Sequence, residues 1–543
     1  MASGLAADMC ALISNAWSWW WEARNRADEL WRSILTVMVA MTIVFSYATS
    51  VKKRHRRDVQ PGPPPGPRGL PLLGSLPFLR PDVHRHFAEL GREYGPIFGL
   101  RMGSKQCVVV TSASLAKEVL HDHDATFANR DVPVAARVVS SGGLDVAWGG
   151  LDAPHWRPLR KLCTRELLNG ASLDALRGMR RAELRRTVRE LYGKAGDGAR
   201  VNVGDVAFMC AVSVITRALW GGAPSLEGER RNDAVLREKM GEIMGLLGKP
   251  NVSDFFPVLA ALDLQGVEQR TKRLMGWFDG MFDAIIEGRL RVIRGNKREG
   301  ASGDFLDTLL RTMERGSSEV ELTMDHIKGL LLDLLVGGSD TTSITMEWAM
   351  AELMHNPDKM KKAQDELHNV VGDDNIVEET HLPKLKYLDA VIKETLRLHP
   401  VTPLLIPRSP SKACIVGGHT VPKGTRVFIN VWAIHRDSSM WENPLKFEPE
   451  RFLVGADIGK GDFRGSNYGY APFGSGRRMC LGISLAERIL MYMMASLLHS
   501  FEWQVPDGVG EVELEEKMDI VLRKAKPLVT VPVPRLFDAK LYT

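Results

Sequence analysis

The chain has 543 residues, 44% of them hydrophobic, enough to bury a large core, and a net charge of +5 that is modest for this size. No long basic stripe interleaved with aromatics appears, which argues against nucleic acid as a partner. Six cysteines (Cys10, Cys107, Cys163, Cys210, Cys414 and Cys480) are scattered without CxxC pairs, so they fit free thiols in a reducing compartment rather than a disulfide framework or a zinc site.

Residues 1–32 form a leader containing WSWWWE. Its Trp17, Trp19, Trp20 and Trp21 suit the aromatic belt of a membrane interface, or are simply a tryptophan-rich tail. Residues 33–51, SILTVMVAMTIVFSYATSV, carry no charge and are followed at once by KKRHRR. At ~1.5 Å per residue such a stretch spans roughly a bilayer's hydrocarbon thickness. It predicts a single transmembrane anchor, with the basic cluster Lys52 to Arg57 in the cytosol and the leader in the lumen. A cleaved signal peptide would start closer to the amino terminus and end in small residues, not basic ones. Residues 52–74 then form a basic and proline-rich linker; its PGPPPGPRGLPLLG makes a stiff connector. No second linker follows, so residues 75–543 form one domain. Within it, the sequon Asn251-Val-Ser253 goes unused if the domain is cytosolic.

The domain reads as mainly α with a small β portion. Helical periodicity covers 173–191, 270–292, 325–354, 357–371, 387–398 and 484–499. Strand candidates are IFGLRMG, QCVVVT, ACIVGGHTVPKGTRVFINV and LVTVPVP, and GNKREGASG (295–303) reads as a mobile loop. The apolar run 329–350 could be taken for a second membrane span. However, Asp333, Asp340 and Glu347 lie in it, and each would cost ~2.5–3.5 kcal/mol at a bilayer centre. A long helix buried in protein explains the run better.

The densest signal is late: FGSGRRMCLG, from Phe473 to Gly482, opening an apolar helix. Cys480 sits just before that helix, where free amides and the helix dipole favour thiolate. Gly474, Gly476 and Gly482 leave room for a flat group to approach the backbone. Arg478 offers a fork for a carboxylate. These residues suit a haem with a cysteine axial ligand, although a structural or a nucleophilic cysteine would also fit the isolated motif.

The loop resembles the haem-binding signature of the cytochrome P450 family, Phe-x-x-Gly-x-Arg-x-Cys-x-Gly, through Phe473, Gly476, Arg478, Cys480 and Gly482. The resemblance implies the cytochrome P450 fold and heme b, with Cys480 as the iron ligand, Phe473 beside the sulfur and Arg478 on a propionate. KETLRLHP then supplies Glu394 and Arg397, and PERF supplies Arg451, for the family's buried structural triad. HWRPLRK supplies Trp156 and Arg160, and IPRSP supplies Arg408, for further propionate contacts. GGSDTT resembles the oxygen-activation motif, with Gly337 and Gly338 leaving room for dioxygen, Thr341 as its hydroxyl and Asp340 as the proton relay.

These implications make the chain a membrane-anchored monooxygenase of the endoplasmic reticulum, similar to plant hydroxylases of specialised metabolism, with its catalytic domain cytosolic. Electrons would come from NADPH through a separate NADPH–cytochrome P450 reductase, because the glycine pattern at Gly474 and Gly476 is no dinucleotide fingerprint. A basic proximal surface including Arg477 is expected to dock that acidic partner. The substrate expected is a small hydrophobic molecule, a mono- or sesquiterpenoid first and a flavonoid or other phenolic next. Leu335, Val336, Gly337, Leu404, Leu405, Ile406, Ile520 and Val521 fall in the family's substrate-contacting segments. A haem carrier without oxygenase activity, and a haem-thiolate isomerase or dehydratase, are the rival readings; the retained Asp340 and Thr341 argue against both.

Overall fold

The computed structural model describes residues 61–221, 229–295, 303–316, 321–453, 461–508 and 510–543. The leader, the anchor, the basic half of the linker and the centre of the 295–303 loop lie outside the described residues. From Pro61 the linker runs along the domain rather than away from it: Pro65 O accepts from Gly99 N (2.7 Å), and Gly62 O from Thr420 N (3.0 Å).

The first elements form a sheet. Strands β1 (Ile97–Met102) and β2 (Lys105–Val110) make a hairpin with Met102 opposite Lys105, and Gly103, at φ 59°, supplies its turn. Short β3 (Asn129–Arg130), β4 (Arg408–Ser409) and β5 (Arg426–Ile429) complete a five-stranded sheet in the order β1-β2-β5-β4-β3. Only β2–β5 is parallel. A separate hairpin near the carboxyl terminus pairs β6 (Glu516–Met518) with β7 (Leu522–Lys524).

Helices form the rest of the core. They include α1 (Trp156–Leu162), α2 (Val203–Trp220), α3 (Glu229–Gly248), α4 (Met324–His355), α5 (Lys386–Leu398) and α6 (Ile483–Ser500). Thr323 starts α4 with a capping box: its hydroxyl accepts from His326 N, and the His326 ring accepts from Thr323 N at 3.1 Å. The second half of α4 is buried on every side. Its Met346, Met350 and Leu353 pack with Val391 and Leu396 of α5 and with Leu490, Met494 and Leu497 of α6. This is the protein-buried helix the sequence predicts for 325–354. Helix α2 is apolar and long enough to cross a membrane, but it packs along α4 in the core. The sequon's Asn251 is buried, 2% exposed, and caps the helix Val252–Phe255, so the folded chain offers no glycan acceptor there.

Candidate active site

Two positions break the core's burial. Gly337, in the middle of α4, is exposed, and a Cβ built on it would meet nothing within 4 Å. Cys480, three residues before α6, is also exposed, yet protein surrounds its sulfur closely enough for burial to raise its pKa. Both facts hold together when the sulfur faces a space inside the fold rather than the outer surface. Along the middle of α4, Gly337 is exposed and Asp333, Leu334, Val336, Gly338 and Thr341 are partly accessible; of these, Asp333, Gly337 and Thr341 are spaced four residues apart. At i, i+4 and i+8 they make one face turned to interior space. Gly338 makes room for α2: a Cβ there would stand 2.6 Å from Ile215 Cδ1.

The cysteine loop also differs from expectation in its physical detail. Burial outweighs the pull of the Gly482 amide and Arg160, so the Cys480 thiol is raised, not lowered. A coordinating cation is what deprotonates such a thiol. Of the three glycines, Gly482 lies by the sulfur, its Cβ position 3.9 Å away. Gly474 and Gly476 both take φ 70°, and at Gly476 a Cβ would stand 2.5 Å from Leu120 O and Asp124 Oδ1. Those two glycines are turn residues, not a flat landing surface. Phe473 accepts the loop-closing bond from Cys480 N (3.1 Å) and packs on Phe463.

Four arginines converge near this loop. Arg478 donates to Ala128 O (2.7 Å), Val146 O (3.1 Å) and Gly149 O, with its guanidinium 4.3 Å from the Trp156 ring centre. Arg160 donates to Met479 O at 2.5 Å, and Arg408 to Ser475 O at 2.8 Å. The fourth, Arg130, has no motif in the sequence; it donates to Ile406 O (2.7 Å) and Ala147 O (3.3 Å). Arg130 and Arg408 are directly opposite each other in the β3–β4 pair, where like charges destabilise. Burial, and then the other arginines, push Arg130 well below its ordinary value and Arg478 down to about 10. Burial also brings Arg408 to about 10 against the pull of Asp124, which stands 3.4 Å from it. So much buried positive charge facing backbone carbonyls calls for an anionic ligand. The two propionates of a haem, with its iron at Cys480, fit that demand. Trp156 donates its ring N–H to Val146 O (3.0 Å) and so braces the arginine site from below.

The structural triad is built as the sequence suggests. Arg397, fully buried, forks onto Glu394 (2.7 and 2.8 Å) and donates to the carbonyls of His435, Pro444 and Lys446. Arg451 reaches Glu394 at 3.0 Å. Asp340 is buried, its carboxyl raised first by burial and eased by Arg523, which lies 3.5 Å away on β7. Thr341 bonds back to Gly337 O at 2.7 Å. Among the substrate-segment residues, Leu335 and Leu404 are packed into hydrophobic clusters. Ile520 and Val521, on the β6–β7 turn, meet Val336 of α4 and Met244 and Leu247 of α3. Leu405 takes φ 49°, a strained conformation for leucine.

The cytochrome P450 family model matches residues 64–531. The chain is a cytochrome P450. Its family makes it a haem-carrying monooxygenase, and the arginine cluster and Cys480 supply the matching donor set. This P450 is 39% identical to a flavonoid 3'-monooxygenase of Crocosmia x crocosmiiflora, over 92% of this chain and 97% of the relative. It is 38% identical to the 3,9-dihydroxypterocarpan 6A-monooxygenase of Glycine max (93% and 98% covered) and to the geraniol 8-hydroxylase of Swertia mussotii (92% and 99%). A zebrafish cytochrome P450 solved with progesterone superposes with a TM-score of 0.70 at 28% identity, covering 83% of this chain and 99% of that one.

Proposed function

We propose that this P450 inserts one atom of dioxygen into a small hydrophobic plant metabolite, using electrons passed from NADPH by a separate reductase. Bound haem supplies the oxygen chemistry. Cys480 would ligate its iron; Arg130, Arg160, Arg408 and Arg478 would hold its propionates; Thr341 and Asp340 would hold and pass protons beside it. The observation that carries this reading is the open face of α4 at Gly337, next to the partly accessible apolar side chains of Leu334 and Val336. An apolar site of this kind favours a terpenoid. The flavonoid 3'-monooxygenases among the relatives, one of them 41% identical, favour a flavonoid or other phenolic as the second reading.

Residues 33–51 anchor the enzyme in the endoplasmic reticulum membrane, and residues 75–543 form its cytosolic domain. An apolar surface supports this. Leu72 (67% exposed) lies near the end of the linker and Phe78 (54%) just after it, and Val258 (94%) and Leu264 (60%) stand on a second segment. That segment is joined to the β1–β2 turn by Ser104 N donating to Phe255 O (2.9 Å). Arg477 is a weaker docking residue than its sequence suggests, because Asp124 already pairs with it at 2.7 Å.

The test is turnover in microsomes with reductase, NADPH and labelled dioxygen across terpenoids and phenolics. Label in a product that needs both NADPH and reductase supports the reading. Rearranged or dehydrated product without either would overturn it in favour of an isomerase or dehydratase.

A further inference from the structure

We propose that Asp145 and Asp333 share a single proton, and that this acid pair is a positioning device locking the 145–149 turn to α4 and thereby setting the arginines that hold the haem. The two acids grip the turn from its amide side. Asp145 Oδ1 accepts from Trp148 N (2.9 Å) and Gly149 N (3.0 Å), and Asp333 Oδ2 accepts from Val146 N (2.8 Å) and Ala147 N (3.1 Å). The arginine site grips the same turn from its carbonyl side. Val146 O takes Trp156 and Arg478, Ala147 O takes Arg130, and Gly149 O takes Arg478 again. Any slack between Asp145 and Asp333 is therefore passed to Arg130 and Arg478.

The shared proton follows from what is left over. Asp145 is 1% exposed, and its Oδ2 is buried with no N–H or O–H donor among the described residues directed at it. The group it meets is the Asp333 carboxyl. Two buried carboxylates side by side repel, whereas a carboxylic acid and a carboxylate form a short, strong hydrogen bond. Burial first, and for Asp333 the neighbouring Asp145 next, raise both groups; Asp145 is brought to about 6. The other charged or titratable groups around the pair are Arg478 and Arg130 above the turn, and Arg160 and Cys163 along α1 and its continuation. His155, ahead of α1, bonds the nearby Gly143 O at 3.0 Å, and its ring lies 4.8 Å from that of His326 of α4, tilted by 40°. Arginines stay charged, and Cys163 is held up at about 12.

An acid whose folded value is raised contributes its grip while it holds the proton and loses that grip as pH rises through the folded value. In the holoenzyme, haem release should accordingly quicken as pH rises above about 6 and the pair gives up its proton. Asp145→Asn and Asp333→Asn each keep the bond without the proton: the amide oxygen still accepts the backbone N–H groups, and the NH2 donates to the remaining carboxylate. Each single variant should release haem within about twofold of the wild-type rate at neutral pH, with a flat pH profile. The double variant turns two NH2 groups on each other without an acceptor and should release haem about tenfold faster or more. Infrared difference spectra should show one protonated carboxylic acid in the wild type that is missing from both single variants. Singles as damaged as the double, or unable to bind haem, would overturn the proposal. So would a pH step that survives in Asp145→Asn, which would belong to a group outside the pair. Should the double variant not fold, the profiles and infrared spectra of the singles still decide.

Discussion

Replacing His435 by glutamine should flatten the loss of stability that this P450 suffers on acidification. His435 is fully buried behind the structural triad. Its Nδ1 lies 3.2 Å from Arg397 O, and its Nε2 accepts from Ala471 N (3.1 Å), two residues before the cysteine loop. Accepting at Nε2 requires the neutral ring with the proton on Nδ1. Burial, then Arg397 and Arg436, press its pKa down to about 3. An unfolded histidine titrates near 6.5, so below that pH the unfolded chain takes up a proton that the folded one refuses. The ring's contribution is complete above about pH 6.5 and declines by about 1.4 kcal/mol per unit as pH falls toward the folded value. Between pH 6.5 and 4.5 that is about 2.7 kcal/mol, a large share of the 5–15 kcal/mol that ordinarily separates folded from unfolded. Glutamine can donate to Arg397 O and accept from Ala471 N without titrating. Guanidinium unfolding, followed by tryptophan fluorescence and the haem band at several pH values, gives both curves. All other groups cancel in their difference, so the gap between the curves should close by about 1.4 kcal/mol per unit on acidification. Parallel curves would refute the reasoning.

Arg397→Met leaves the Glu394 charge and three carbonyls without their main partner, a loss of about 3–5 kcal/mol; most of the expressed chain should lack haem, as absorbance per protein will show. Lysine at 397 should rescue little, because it cannot fork onto both carboxylate oxygens. Arg130→Gln removes one of four buried guanidiniums, so haem transfer to apomyoglobin should speed up about tenfold, or ~1.4 kcal/mol. Gly338→Val drives a side chain into Ile215 and should cost about 1–3 kcal/mol in thermal unfolding. Gly337→Val meets no neighbour, so it should leave stability within about 0.5 kcal/mol while abolishing substrate-induced spin-state shifts.

The cysteine loop and the Glu394–Arg397 pair were legible because their determinants are local. The glycines around Cys480, and Glu394 with Arg397 one turn on, each act within a few residues. The arginine cluster was only half visible. Arg478, Arg160 and Arg408 sit in motifs, but Arg130 reaches the site because β3 pairs with β4, a contact 278 positions apart in sequence that no spacing reveals. Asp145 likewise reads as an ordinary loop acid until α4 brings Asp333 against it. Burial is the other quantity a linear reading lacks. It separates Leu335 and Leu404, which are core, from Gly337, which is open, and it raises the Cys480 thiol where the helix end alone suggested the reverse.

The most direct measurement is the carbon monoxide difference spectrum of the reduced protein, recorded for the wild type and for Cys480→Ser. The account predicts a strongly red-shifted haem band in the wild type and its complete loss in the serine variant, whose oxygen cannot donate charge as a thiolate does. A red-shifted band that survives in Cys480→Ser, or a wild type that shows only the shorter-wavelength band, would contradict the assignment of Cys480 as the haem ligand.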